Sequence, residues 1–236
     1  MIRSPLFVLL VSVVLATPLA AQVITFESTP AGAVSSDDAP LGLTDAYTIG
    51  PLSITFGFDV DLNGIPETPA IFEHVGDDAI DGFVGCNGRD TAATGFGLQL
   101  GDFFLRGSPG GDFGVLIITY TGGSVSGASG EIWDIDGLDI GTEQYRVQAY
   151  DSGGILLATI DSPVSTQDSD CANTELDGRP WVFNFSGTPG IARITIDFIG
   201  SKTSAIGLAF NNFNATGDQP VPVKSVSWGH LKSVLR

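Results

Sequence analysis

Apolar and polar residues alternate along most of the chain, and sustained helical periodicity is absent. The alternation predicts strands over 23–27 (VITFE), 52–58 (LSITFGF), 114–121 (GVLIITYT), 130–136 (GEIWDID), 145–151 (YRVQAYD), 155–161 (ILLATID), 180–185 (PWVFNF), 192–199 (ARITIDFI) and 206–213 (IGLAFNNF). Clusters of Gly, Asp, Asn, Ser and Pro separate these segments. Asp151-Ser152-Gly153-Gly154 is expected to join two of them as a hairpin. Many short strands with frequent turns predict an all-β fold, an antiparallel two-sheet sandwich of jelly-roll type. The Gly- and Asp-rich stretch 75–111 predicts long surface loops with one or two short strands.

The two ends differ from this pattern. At the N-terminus, Arg3 precedes an apolar run from Leu6 to Ala16, and small residues follow to Ala20-Ala21. This is the layout of a secretory signal peptide over 1–21, and the run is short for a membrane span. The predicted β domain covers 22–215. The tail, 216–236, starts as a Pro-containing linker and ends basic, with Trp228, Leu231, Val234 and Leu235 on one face of a short helix. Alone in water so short a helix is marginal, so the tail is expected to dock or to stay disordered. No transmembrane segment is expected after cleavage, which makes the chain secreted, extracellular or envelope-associated.

Charge narrows the partners. The whole chain carries 27 acids against 10 bases, a net of −17. Arg3 belongs to the leader, and Lys224, Lys232 and Arg236 to the tail. Residues 22–218 keep six bases against all 27 acids, a net of −21. Such a surface repels phosphate and excludes nucleic acid as a partner. It suits calcium, cationic surfaces or simple solubility. The two cysteines, Cys86 and Cys171, form an even count in an exported chain and predict one disulfide. Closing so long a loop would stabilise by about 4–5 kcal/mol on a chain-entropy argument.

The segments EIWDIDG, EQYRVQAYDSGGILLATIDSPV, LDGRPWVFNFSG and IARITIDFIGSKTSAIGLAFNNF, with ITFESTPAG near the start, carry a resemblance. Together they resemble the extracellular β-sandwich domains of bacterial exported proteins, many of which bear PEP-CTERM sorting tails, and the wider galactose-binding-like jelly-roll group. The resemblance spans roughly 22–215. It implies a sandwich, export, and carbohydrate or surface association, without a single ligand. This chain lacks the PEP motif and the terminal hydrophobic helix of the sorted members.

One stretch poses the sharpest chemical question. In DVDLNGIPE, oxygen-bearing side chains stand at Asp59, Asp61, Asn63 and Glu67, with Gly64 at the turn and the Ile65 carbonyl as a further ligand. It resembles the first nine positions of an EF-hand-type calcium loop and the thrombospondin type 3 repeats. Ala70 stands where the bidentate Glu of an EF-hand would be. The competing reading is a strand. Ile54, Phe56, Phe58, Val60 and Leu62 alternate, placing Ser53, Thr55, Asp59 and Asp61 on the solvent face before an Asn63-Gly64 hairpin turn. On a straight strand the Asp59 and Asp61 Cα atoms stand roughly 6–7 Å apart, so ion binding requires the chain to curl.

A second acidic candidate is Asp134, Asp136, Asp139 and Glu143, read either as a calcium site between loops or as an acidic strand end. The same segment resembles the catalytic strand of laminarinase-like glucanases. A retaining carboxylate pair must stand about 5–5.5 Å apart. In strand geometry Glu131 instead shares its face with Trp133 and Ile135. No His-x-x-x-His, Gly-x-Ser-x-Gly or phosphate loop occurs, and the histidines are only His74 and His230. Trp133, Tyr145, Tyr150 and Trp181 are candidate rings for stacking a sugar, with Tyr145 and Trp181 favoured. Asn211 and Asn212 are read as polar ligands or turn residues.

The expectation is therefore a secreted, non-catalytic binding or structural module. A glycan or surface polymer is the favoured ligand, with calcium pinning loops. The alternatives are a carbohydrate-active hydrolase on a jelly-roll fold and a purely structural surface or matrix protein.

Overall fold

The computed structural model describes residues 22–76, 84–85, 88–89, 92–107, 114–135, 141–165, 176, 178–203 and 206–217. Residues 1–21, expected as a signal peptide, the tail beyond 217, Cys86, Cys171, Asp136 and Asp139 lie outside the described residues. Among the described residues the chain forms strands and no helix, so no helix there is long and apolar enough to cross a membrane. The strands are β1 (Val23–Ile24), β2 (Ala39–Leu41), β3 (Tyr47–Ile49), β4 (Leu52–Asp59), β5 (Thr68–His74), β6 (Val84–Gly85), β7 (Gly88–Arg89) and β8 (Phe103–Arg106). They continue as β9 (Val115–Thr121), β10 (Val125–Trp133), β11 (Tyr145–Tyr150), β12 (Leu156–Asp161), β13 (Pro180–Asn184), β14 (Arg193–Phe198) and β15 (Ala209–Gly217).

Pairing is antiparallel throughout. One continuous sheet runs β12-β11-β14-β9-β4-β5-β8-β15-β10-β13, with β1, β2 and β3 attached to β15, β5 and β4. Strands β6 and β7 pair only with each other. The two arms of the sheet meet at β4 and β5, which share only Gly57↔Pro69 and Phe58↔Thr68. Such a short seam lets the sheet curl until its arms face one another. Phe56 of β4 meets Phe213 of β15 edge-on at 5.6 Å (87°), and Phe26 reaches Phe56 at 5.3 Å (83°). Phe183 stacks on Phe210 at 6.3 Å (11°). Each fully buried ring contributes roughly 1.5–3 kcal/mol, and each edge or stacked pair about 0.5–1.5 kcal/mol more. The curl makes the sheet nearly barrel-like around one core.

Each of the nine segments expected from alternation contains a strand, although 23–27 keeps only Val23–Ile24 before Phe26 turns to φ 60°. In β9 and β14 the inward set Leu116, Ile118, Tyr120, Ile194 and Ile196 is buried, and Arg193 and Asp197 stand on the opposite face. The Asp151 turn forms as expected. Asp151 N–H donates to the Ile155 carbonyl at 3.0 Å, and Asp151 Oδ1 accepts from Gly153 and Ile155 N–H at 2.8 Å each.

Six strands lie outside those nine segments, β2, β3 and β5 to β8, with β6, β7 and β8 in the stretch 75–111 where one or two short strands were expected. Strand β5 begins Thr-Pro, and β8 is buried at all four positions, so neither shows clean alternation. Short strands were expected in the stretch 75–111, but β8 is not at the surface: it sits inside the sheet between β5 and β15. Its neighbours 92–104 help cover the outer face of β10 and β15, where Leu100, Phe104, Trp133 and Ala209 form a small second core. Asn211 and Asn212, which lie mid-strand in β15, fasten that cover. The register shift opposite Gly130 and the positive φ of Asn212 (51°) mark a β-bulge. Asn211 Nδ2 donates to the carbonyls of Leu100 and Phe103, and Asn212 Nδ2 donates to that of Gln99 (2.9 Å).

Two buried ion pairs tie distant segments. Lys202 pairs with Glu143, both side chains almost wholly inaccessible. Arg106 bridges Glu73 and Asp38, and Glu73 Oε1 is buried with no hydrogen-bond partner among the described residues. Burial pushes the Glu73 carboxyl up to about 7, against the lowering pull of Arg106.

Candidate functional site

Strand β4 keeps its alternation through Phe58 and stops at Asp59. Val60 and Leu62 do not continue it: both are exposed, and Leu62 turns to φ 60°. The connection to β5 spans 60–67, so Asn63-Gly64 does not form a two-residue hairpin. Asp59 does point away from the core, as the strand reading expects. It is nevertheless only 3% exposed, because the loop folds back over the outer face of the sheet.

The curl is built from side chain to backbone bonds. Asp59 Oδ1 accepts from Asn63 N–H (3.1 Å), and Oδ2 from Gly64 N–H (2.6 Å). Asp61 accepts from both the backbone N–H (3.1 Å) and the Nδ2 (2.9 Å) of Asn63. Asn63 Oδ1 accepts from Ile65 N–H at 2.8 Å. From the far end, Glu67 Oε1 accepts from Val60 and Asp61 N–H (2.6 and 3.2 Å). Gly64 closes the turn at φ 88°, a conformation that costs glycine little. The outcome is that Asp59, Asp61 and Glu67 each bring one carboxylate oxygen within 4.8 Å of the others. Two oxygens on one calcium ion are separated by at most about 4.6–5.2 Å, twice the ligand distance. Hard oxygen donors with a net charge of −3 fit calcium or magnesium and not a soft metal.

Of the second acidic candidate, Asp134 and Glu143 are among the described residues. Asp134, at φ 60°, turns its Oδ1 to Gly178 N–H (2.8 Å), and Glu143 is taken up by Lys202. Glu131 and Trp133 do share a face. Trp133 Nε1 and Asn212 Nδ2 both donate to Glu131 Oε2, at 3.0 and 2.7 Å. Burial raises the Glu131 carboxyl, while these two donors lower it.

The favoured rings do not form a platform. Tyr145 is 1% exposed, and its hydroxyl donates to the Gly207 carbonyl. Trp133 is equally buried. Trp181 is half-buried on β13, packed 6.3 Å from Phe183. His74 ends β5, with its ring edge-on to Phe103 at 5.1 Å. Tyr150, like Trp181, is half-exposed, and its hydroxyl donates to Gln148 Oε1 (2.9 Å).

Tyr150 belongs to a groove absent from the sequence reading. On the outer face of β11, β14 and β9, a cavity of about 200 Å³ is walled on one side by the 59–64 loop. Gln148, Tyr150, Arg193, Thr195 and Asp197 line it, over an apolar floor of Val115 and Ile117. Register assembles them: Tyr150 pairs with Arg193, Gln148 with Thr195, and Thr195 with Ile117. The Arg193 guanidinium lies 4.7 Å over the Tyr150 ring, and its Nη1 donates to the Gly64 carbonyl at 3.3 Å. Burial raises the Asp197 carboxyl despite Arg146 opposite it. Arg146 itself is forked onto Asp161, at 2.8 Å through both bonds. Alternation within each strand marks these positions as outward-facing, but only the strand order places them side by side.

No protein-family model matches the chain, and no curated protein sequence matches it. Among solved structures it is similar to a DUF4465 family protein from Bacteroides caccae, with 8% identity and a TM-score of 0.50. That likeness covers 84% of this chain and 99% of the other, and it is a likeness of fold alone. Similarity to a family 89 glycoside hydrolase from Clostridium perfringens is weaker, with 14% identity, TM-score 0.33, and coverage of 76% of this chain and 17% of that one. The bacteriophage CBA120 tailspike protein 4 gives 13% identity, TM-score 0.29, and 72% and 20% coverage. Neither of these two bears on function.

Proposed function

We propose that this protein is an exported, non-catalytic β module that binds a glycan or surface polymer, with a calcium ion pinning the 59–67 loop. The observation that carries the reading is the convergence of Asp59, Asp61 and Glu67 on a loop that walls a polar groove. A flat strand entering a tight hairpin would have held Asp59 and Asp61 apart. The ion does no chemistry in this reading: it offsets the mutual repulsion of three carboxylates and stiffens the groove wall. The facing arms of the sheet, joined through Phe56, Phe210 and Phe213, support the two layers of a jelly-roll-like sandwich. The engagement of Glu131 by Trp133 and Asn212 favours a structural role for that carboxylate over a catalytic one.

The test is a glycan array probed with calcium and with chelator, alongside thermal melting under both conditions. Binding that is lost on chelation, with a lower melting temperature, is the expected result. A melting temperature that calcium leaves unchanged removes the ion from the reading, and a blank array removes the glycan.

A further inference from the structure

The groove on the outer face of β11, β14 and β9 is a polar site with an apolar floor, and we infer that it takes one ring of a neutral saccharide. This deepens the reading above and rests on it. Size sets the first limit. About 200 Å³ is below the roughly 300–1,000 Å³ of an ordinary small-molecule pocket, so the site suits a single ring-sized unit of a longer chain.

Chemistry sets the second limit. The walls present an amide (Gln148), a hydroxyl (Thr195), a phenol (Tyr150), a carboxylate (Asp197) and a guanidinium (Arg193). These are donors and acceptors in mixture, as vicinal hydroxyls require. Val115, half-buried over the buried Ile117, offers apolar surface to the C–H face of a sugar ring. Two carboxylates, Asp59 and Asp197, stand against one cation. That cation is already engaged by the Tyr150 ring and the Gly64 carbonyl. With the surrounding body at a net of −21, a polyanion is repelled both at range and in the groove. The excess acid is small enough for hydroxyls to satisfy, so a neutral polyol fits better than either charged class.

The experiment uses the full mature chain with calcium present. It is titrated with neutral gluco-, manno- and galacto-oligosaccharides, with uronate oligosaccharides, and with oligolysine. Two single variants, Gln148→Ala and Thr195→Val, are made alongside, and circular dichroism verifies that each stays folded. Thr195→Val keeps the side-chain shape, so it isolates the hydroxyl. The expected result is binding of at least one neutral oligosaccharide, weakened about tenfold in each variant by the loss of one directed hydrogen bond. Neutral-sugar binding that both variants retain in full moves the site elsewhere and overturns the groove, leaving the glycan reading intact. Binding of only the uronates, or only oligolysine, overturns the neutral class. Binding of none of the probes overturns the groove and the glycan reading together.

Discussion

The Nη1 of Arg193 donates to the carbonyl of Gly64 at 3.3 Å, a contact between residues 129 apart in sequence. It joins the outer face of β14 to the loop that holds the three converging carboxylates. The groove and the candidate cation site therefore share a wall, and whatever orders the loop also positions the arginine over Tyr150.

Calcium should raise the melting temperature of the wild-type chain. At a hundredfold excess over Kd the gain is about 2.7 kcal/mol, or roughly 5–10 °C for a domain of this size. Asp61→Asn should abolish the rise while leaving the calcium-free melt nearly unchanged, since Asp61 is exposed. Asp59→Ala should in addition lower calcium-free stability by about 1–3 kcal/mol, because the Gly64 N–H loses its acceptor and the Asn63 N–H keeps only Asp61. Scanning calorimetry with calcium and with chelator checks all three. Identical calcium responses in wild type and Asp61→Asn would exclude the loop as the ion site.

Gly114 stands against the end of β4. A Cβ there would meet the Asp59 carbonyl at 2.5 Å and Val60 at 2.9 Å. Backbone must move to admit a methyl group, so Gly114→Ala should cost about 1–3 kcal/mol and weaken any calcium response by displacing Asp59. Urea denaturation gives the first quantity and a calcium titration the second. A substitution neutral in both would show that the contact is slack.

Lys202 and Glu143 form a buried pair, and removing the lysine takes a counter-charge from a buried carboxylate. Lys202→Ala should destabilise by about 3–5 kcal/mol. The double variant Lys202→Met, Glu143→Leu should recover most of that, because an apolar pair of similar volume avoids the desolvation cost. Urea midpoints of the three proteins decide it. A double variant no better than Lys202→Ala would count against desolvation as the dominant cost.

Glu73 sets a pH dependence whose sign is unusual for a carboxylate. Its folded value, about 7, lies above the ordinary 4.5. Between those two values the folded state keeps a proton that the unfolded chain has released. The stability tied to that proton is fully present below pH 4.5 and lost as pH rises towards 7. Denaturant midpoints measured across this window should fall with pH in the wild type and fall less in Glu73→Gln. Parallel profiles for the two proteins would refute the assignment.

Much of the fold was legible because strand alternation is a local signal. Ile54, Phe56 and Phe58 announced β4, and ILLATID announced β12 together with its Asp-Ser-Gly-Gly turn. Strand β8 was not legible, since a strand covered on both faces has no polar face to alternate with. The same reason hid Tyr145. An aromatic residue on a strand reads alike whether its face meets solvent or the opposite arm of the sheet, and only the curl at the β4–β5 seam placed Tyr145 inside.

At the candidate site, the sequence by itself determined the donor set: Asp59, Asp61, Asn63 and Glu67 at two- and four-residue spacing around Gly64. It left open whether they lie along a strand or around an ion, because alternation and loop spacing coincide in DVDLNGIPE. Tertiary structure decided for the loop. Closing β4 onto β5 at Phe58↔Thr68 leaves nine intervening residues, too many for a two-residue turn, and their polar groups close on one another. The groove owes still more to tertiary structure. Gln148, Tyr150, Arg193 and Thr195 come from strands far apart in sequence, and the hydrogen-bond register of β11, β14 and β9 is what makes them neighbours.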